Sequence, residues 1–240
     1  MWYVPRMPLP RILLVIPPLT QLNTPYPATA HLTGFLRARG YETTQADLGL
    51  AMVLRLFSRE GLAQAFTRIK QTEQAWRGEI QQILALEPAY LETIEPVIAF
   101  LQGKDPMLAA HLARPGFLPE GPRFAADRRP GQGPCSISPS DTARHRATLY
   151  IEDLTDLLHS TVAPHFYLNR YAEQIMHATS SFDRIEDALD QPPSLTDELL
   201  IETLWPHLHR TRPDVVGLTV PFPGNLSGAL RIAQAIKPRH

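Results

Sequence analysis

Two kinds of apolar spacing divide this chain. Arg11-Ile-Leu-Leu-Val-Ile16 is a short, continuous apolar run ended by Pro17-Pro18, the signature of a strand buried on both faces of a parallel sheet. After a polar loop over 19–27, Leu32, Phe35 and Leu36 fall at helical spacing, Arg37 and Arg39 sit in the last turn, and Gly40 supplies a stop. Tyr41-Glu-Thr-Thr-Gln-Ala46 is rich in strand formers and leads into Asp47-Leu-Gly49, a second strand with a polar end. Residues 11–49 therefore predict one βαβ unit with a right-handed crossover.

From Leu50 the period lengthens. Leu50, Val53, Leu54 and Phe57 lie on one helical face, followed by Leu62, Phe66 and Ile69, then Trp76, Ile80, Ile83 and Leu84, then Leu91, Ile94, Ile98 and Leu101. A Gly- and Pro-rich loop over 114–140 interrupts this block, which resumes near Leu149. Its last helix starts at Ser194, whose hydroxyl and Asp197 three residues on form a capping box, and runs toward His209 with a kink expected at Pro206. Asp214-Val-Val-Gly-Leu-Thr-Val220 then reads as another buried strand, followed by a loop to Asn225 and a helix through Leu226, Leu230, Ile232, Ala233 and Ile236.

The predicted class is α/β: a partial Rossmann-like, doubly wound parallel sheet of flavodoxin type, interrupted by a large all-helical insertion. Residues 11–49 and 213–240 supply the sheet and 50–212 the insertion, which contains no internal repeat. Three strands leave an uncovered edge, and another strand is expected to begin at Lys237-Pro-Arg-His240, so the sheet reads as incomplete at its carboxyl end.

Composition narrows the function classes. In 240 residues, 44% are hydrophobic, enough for a substantial core. The formal net charge of -1 gives none of the basic excess that a phosphate backbone demands, which argues against nucleic acid and for small molecules or proteins as partners. The single cysteine, Cys135, excludes an intrachain disulfide framework and any multi-thiolate metal site, and points to the cytoplasm. The longest strongly apolar run, Ile12 to Ile16, is far too short to span a bilayer, and no signal peptide is expected. The 24 prolines fall mostly between periodic segments, where they act as stiff turns.

The wording of the two sheet segments resembles the amino-terminal, cobalamin-binding region of cobalamin-dependent radical S-adenosylmethionine proteins. The residues that carry the likeness are Arg11 to Pro18 with Asn23-Thr-Pro-Tyr-Pro27, Leu32 to Gly40, Gln45-Ala-Asp-Leu-Gly49, and Pro213-Asp-Val-Val-Gly-Leu-Thr-Val-Pro-Phe-Pro-Gly-Asn-Leu-Ser227. The resemblance implies a cobalamin site in the loops after the first and third strands, where doubly wound sheets bind ligands. Pro18, Leu19, Thr20, Asn23, Thr24, Pro25 and Tyr26 would contribute from the first loop, and Thr219, Val220, Pro221, Asn225 and Leu226 from the second. Both loops lead into helix N-termini, whose amides can receive an anionic or amide-rich ligand.

Many cobalamin domains place a histidine on cobalt from an Asp-x-His-x-x-Gly motif, and His31-Leu-Thr-Gly34 superficially fits it. Thr29 stands where the acid belongs, however, and Gly40 follows Gly34 too closely to leave room for the family's full helix. Alignment on Gln45 to Gly49 puts Asn23 to Pro27 in the motif's place, so cobalamin is expected without a protein imidazole on cobalt and no metal ligand is assigned. Thr219-Val-Pro221 corresponds to the family's Ser-x-Leu, keeping the hydroxyl and departing at proline. The family's later Gly-Gly turn and Cys-x-x-x-Cys-x-x-Cys motif are absent. A [4Fe-4S] cluster and S-adenosylmethionine are therefore expected only in a downstream domain, against which this part would pack, and no catalytic residue is assigned here.

Other readings stand beside this one. Pro17-Pro18 and Asn23 to Pro27 also read as a rigid turn, and Asp47 as a solvated carboxylate at a strand end. Cys135 lacks the ordered base of a nucleophile, and His207 and His209 point to different helix faces. No G-x-G-x-x-G, P-loop or G-x-S-x-G occurs. The rival function classes are a non-catalytic flavodoxin-like or helical interaction module and a nonfunctional fragment.

Overall fold

A computed structural model of the chain describes residues 8–19, 22, 26–72, 74–127, 138–164, 166, 168 and 183–237. In chain order the described elements begin with β1 (Ile12–Ile16), α1 (Ala28–Arg37), β2 (Thr43–Asp47), α2 (Leu48–Leu56), α3 (Arg59–Gln71), α4 (Glu79–Ala85) and α5 (Glu87–Leu101). A 3-10 turn (Pro106–Leu108) leads to α6 (Ala109–Leu112), α7 (Pro122–Asp127), α8 (Pro139–Ser160), α9 (Asp183–Asp190), α10 (Leu195–Thr211), β3 (Val215–Leu218) and α11 (Pro223–Ile236). The class is α/β, a partial Rossmann-like parallel sheet with a large helical insertion. Two compact units result: Met1–Val53 with Asn169–His240, and Leu54–Leu168.

In the sheet unit all pairing is parallel, in the order β2-β1-β3, with Ile12 opposite both Thr43 and Val215. Successive strand residues point to opposite faces, so burial of every residue from Leu13 to Ile16 means that β1 is covered on both sides, as its unbroken apolar run requires. Gly217 lies opposite Leu14, and a Cβ there would come within 2.8 Å of Leu14 Cδ2, so the glycine makes room for its cross-strand neighbour. At the amino ends of the strands, Asp214 accepts hydrogen bonds from Arg11 N (2.8 Å), Nε (3.2 Å) and Nη2 (3.1 Å). The Arg11 guanidinium and amide hold the Asp214 carboxyl below the usual carboxylate range. β3 is more open than β1, with Val215 exposed.

α1 forms where the spacing predicts it but turns a different face inward. Thr29 and Thr33 are buried while Leu32 and Phe35 are exposed, because the small threonines let the helix lie close to β1 and β2. The Arg39 guanidinium lies 3.4 Å from the centre of the outward Phe35 ring. Gly40, at φ +86°, supplies the predicted stop.

α9 and α10, which the sequence pattern groups with the helical insertion, pack on α11 in the sheet unit. Arg231 of α11 fastens them, donating to Leu189 O (2.8 Å) and Gln191 O (3.3 Å) and lying 3.5 Å from Asp197 Oδ2. The capping box at Ser194 is present: Ser194 Oγ accepts from Asp197 N and Asp197 Oδ2 accepts from Ser194 N. Pro206 does not end α10, which continues to Thr211.

In the helical unit α8 is central, with α4, α5, α6 and α7 against it. Tyr90, Ile94 and Val97 of α5 and Ala147, Tyr150, Leu154 and Leu157 of α8 are all buried. Trp76, which the spacing places on a helix, lies in the irregular segment before α4. Its indole N–H donates to Ile69 O at the end of α3 (3.3 Å), a carbonyl that also accepts from Thr72 N (3.3 Å) and Thr72 Oγ1 (2.6 Å).

Candidate functional site

The order β2-β1-β3 puts β1 between a strand reached on one side and a strand reached on the other. The carboxyl ends of β1 and β3 are therefore the switch point at which doubly wound sheets bind ligands. The loops that leave there, from Pro17 and from Thr219, are the two that the sequence singles out.

The base of the site is tightly built. Pro17 and Pro18 are buried, and Pro17 O accepts a 3.2 Å hydrogen bond from Nδ2 of Asn225, which is 0% exposed. A Cβ on Gly228 would lie 2.9 Å from Pro18 O and 3.0 Å from its ring carbons, so the second turn of α11 rests directly on Pro18. On another side, a Cβ on Gly49 would lie 3.4 Å from Pro18 Cα and 3.5 Å from Pro17 O. Thr219 N donates to Val15 O (2.9 Å), holding the start of the second loop against β1.

The outer part is apolar and open. The Tyr26 and Phe222 rings meet edge-on with centroids 6.1 Å apart, bringing the two loops into contact. Phe222 is 50% exposed, and Val220 and Leu22 are exposed as well. Exposed apolar side chains gathered in two facing loops mark a binding surface more often than isolated ones do.

Of the residues assigned from sequence, Tyr26, Leu19, Thr219, Pro221 and Leu226 are half-buried in these loops and Val220 is exposed. Pro18 and Asn225 are buried and shape the loops from within. Thr20, Asn23, Thr24 and Pro25 lie outside the described residues. Phe222, Gly49 and Gly228 were not singled out by type. The signal for Phe222 is its place between Pro221 and Pro223, where neither a strand nor a helix interior can absorb it.

The helix N-terminus that follows the second loop offers less to an anion than its position suggests. Pro223 has no N–H, and Asn225 N donates to Phe222 O (3.0 Å). Asp47 also has a structural partner: its Oδ1 accepts from Leu50 N (2.9 Å) and so caps the first turn of α2. His31 lies on the exposed side of α1. Among the described residues no cluster of three His, Cys, Asp or Glu side chains could hold a metal ion, and no helix is long and apolar enough to cross a membrane.

Asp153 of the helical unit is the other candidate for chemistry, being a carboxylate only 1% exposed. Its Oδ1 accepts from Arg123 N (2.9 Å) at the start of α7 and its Oδ2 from the Tyr90 hydroxyl (3.3 Å). Burial pushes its carboxyl up to about 6. A Cβ on Gly121 would lie 2.5 Å from Asp153 Oδ2, leaving no space for a substrate, so this carboxylate is a cap for α7 supplied from α8.

Comparison with protein-family models, with curated proteins and with solved structures finds no match.

Proposed function

We propose that this chain is the cobalamin-binding module of a radical S-adenosylmethionine enzyme, whose full-length form performs methyl or radical transfer. The reading rests on the switch point at the ends of β1 and β3, where Tyr26 meets Phe222 and Leu22 and Val220 stand exposed in the same two loops. A corrin is a broad ring with apolar faces and a fringe of amides, and this surface pairs apolar side chains with half-buried loop backbone. Tyr26, Val220 and Phe222 hold the ring face in this reading, and Leu19, Thr219, Pro221 and Leu226 border it.

When bound, cobalamin supplies the group-transfer or radical chemistry, while the residues of this chain bind and orient it. The first loop contains no histidine and His31 is exposed on α1, so in this reading the two loops would hold cobalamin without a protein imidazole on cobalt. The cluster and S-adenosylmethionine belong to a domain bearing the three-cysteine motif, with which this module packs, in the cytoplasm.

Equilibrium dialysis against hydroxocobalamin tests the placement. Val220→Asp combined with Phe222→Ser should weaken binding at least tenfold with an unchanged circular dichroism spectrum. Wild-type affinity in that variant would move the site elsewhere. The open β3 edge and the outward Leu32 and Phe35 favour a second reading, a non-catalytic flavodoxin-like interaction module, which a folded protein that ignores hydroxocobalamin would support.

A further inference from the structure

We propose that the outward face of α1 rests on the surface of an anionic membrane, as a peripheral contact and not a span. That contact is independent of cobalamin binding and uses a different part of the sheet unit from the two loops.

α1 buries Thr29 and Thr33 and leaves Leu32 46% and Phe35 53% exposed. Leu9, 50% exposed, lies at the carboxyl end of the same helix, its Cδ1 3.6 Å from where a Cβ on Gly40 would stand. Exposed apolar side chains scattered singly are ordinary, whereas three along one helix mark a contact surface.

The charge around them is of one sign. The first 41 residues carry four arginines and no carboxylate, so the formal net charge of -1 hides a basic start and an acidic remainder. His31, Arg37 and Arg39 are all exposed. The Arg39 guanidinium lies 3.4 Å from the centre of the Phe35 ring and donates to Phe35 O (3.3 Å), while Arg37 Nε donates to Thr43 O (2.8 Å). Among the described residues neither arginine pairs with a carboxylate, and Glu42, the first acid in the chain, acts on Arg11.

These features fit a lipid surface better than a protein. A stable protein interface buries about 800 Å² on each partner, whereas a helix of this length is only about 15 Å long and 10 Å across. A bilayer interface demands no matching shape. Phe and Leu enter the acyl boundary, nearby arginines meet lipid phosphates, and each cation within a Debye length of about 10 Å adds to the attraction. The stack on Phe35 keeps the Arg39 charge beside the ring that inserts.

Co-sedimentation of the full chain with vesicles is the test. Vesicles of phosphatidylglycerol and phosphatidylcholine in equal parts should pellet the protein at low salt, and pure phosphatidylcholine vesicles should pellet about fivefold less. Phe35→Ser and Arg39→Glu, with unchanged circular dichroism spectra, should each lower the bound fraction about threefold. No binding to the anionic vesicles, or equal binding by wild type and both variants, would overturn the proposal. So would a wild-type dimer that either substitution makes monomeric in sedimentation velocity runs, which would assign the face to a second copy of this chain. Each of these results leaves the uptake of hydroxocobalamin to be judged by its own titration.

Discussion

Asp153 shows how one side chain couples burial to pH. Its carboxyl, with an ordinary value near 3.8, is pushed up to about 6 by burial, so the folded chain holds that proton more tightly than the unfolded chain does. The group's contribution to stability is fully present below the unfolded value and is lost as pH rises through about 6. Asp153→Asn keeps an acceptor for Arg123 N and removes the charge. Urea midpoints measured from pH 4 to pH 7 should lose a slope on the order of 2 kcal/mol, with the variant at least as stable as wild type at pH 7. An unchanged slope would assign the pH dependence to other groups.

Thr33 offers a test of opposite character. Its hydroxyl is buried on the sheet side of α1 with no hydrogen-bond partner among the described residues, a group that folding desolvates without return. Thr33→Val is nearly isosteric and should stabilise the protein by about 1 kcal/mol in urea melts. A loss of stability would reveal a partner for that hydroxyl.

Among the elements, those with an unambiguous period were legible in the sequence. β1 and β3 are short apolar runs bounded by proline or charge, and α10 carries its own capping box at Ser194. Ser194→Ala should cost about 1 kcal/mol in the same assay. The start of α8 was harder to read, because the Gly- and Pro-rich composition around it masks a second signal. Ser138 Oγ accepts from Asp141 N (3.1 Å) with Pro139 in the first turn, so the helix begins ahead of Leu149.

The inward face of α1 was not legible either. Leu32 and Phe35 have helical spacing, but the close approach to β1 and β2 selects Thr29 and Thr33. At the candidate site, the positions of both loops follow from strand ends and proline. The packed base of the site does not, since it depends on Asn225 reaching Pro17 O across 208 positions and on glycines whose neighbours come from distant elements.

The molecule as a whole combines a unit built around a covered central strand with a helical unit built around α8. The first carries exposed apolar side chains in the loops at the carboxyl ends of its strands, and the buried Asp153, Tyr90 and Tyr150 of the second cap and join its helices. The proposed ligand site therefore lies in the sheet unit, while Asp153, Tyr90 and Tyr150 do structural work in the helical one. The deciding measurement is an absorbance titration of the folded chain with hydroxocobalamin. A saturable spectral change at one equivalent is the result this account predicts. A flat titration, on protein whose circular dichroism shows the α/β fold intact, would contradict it.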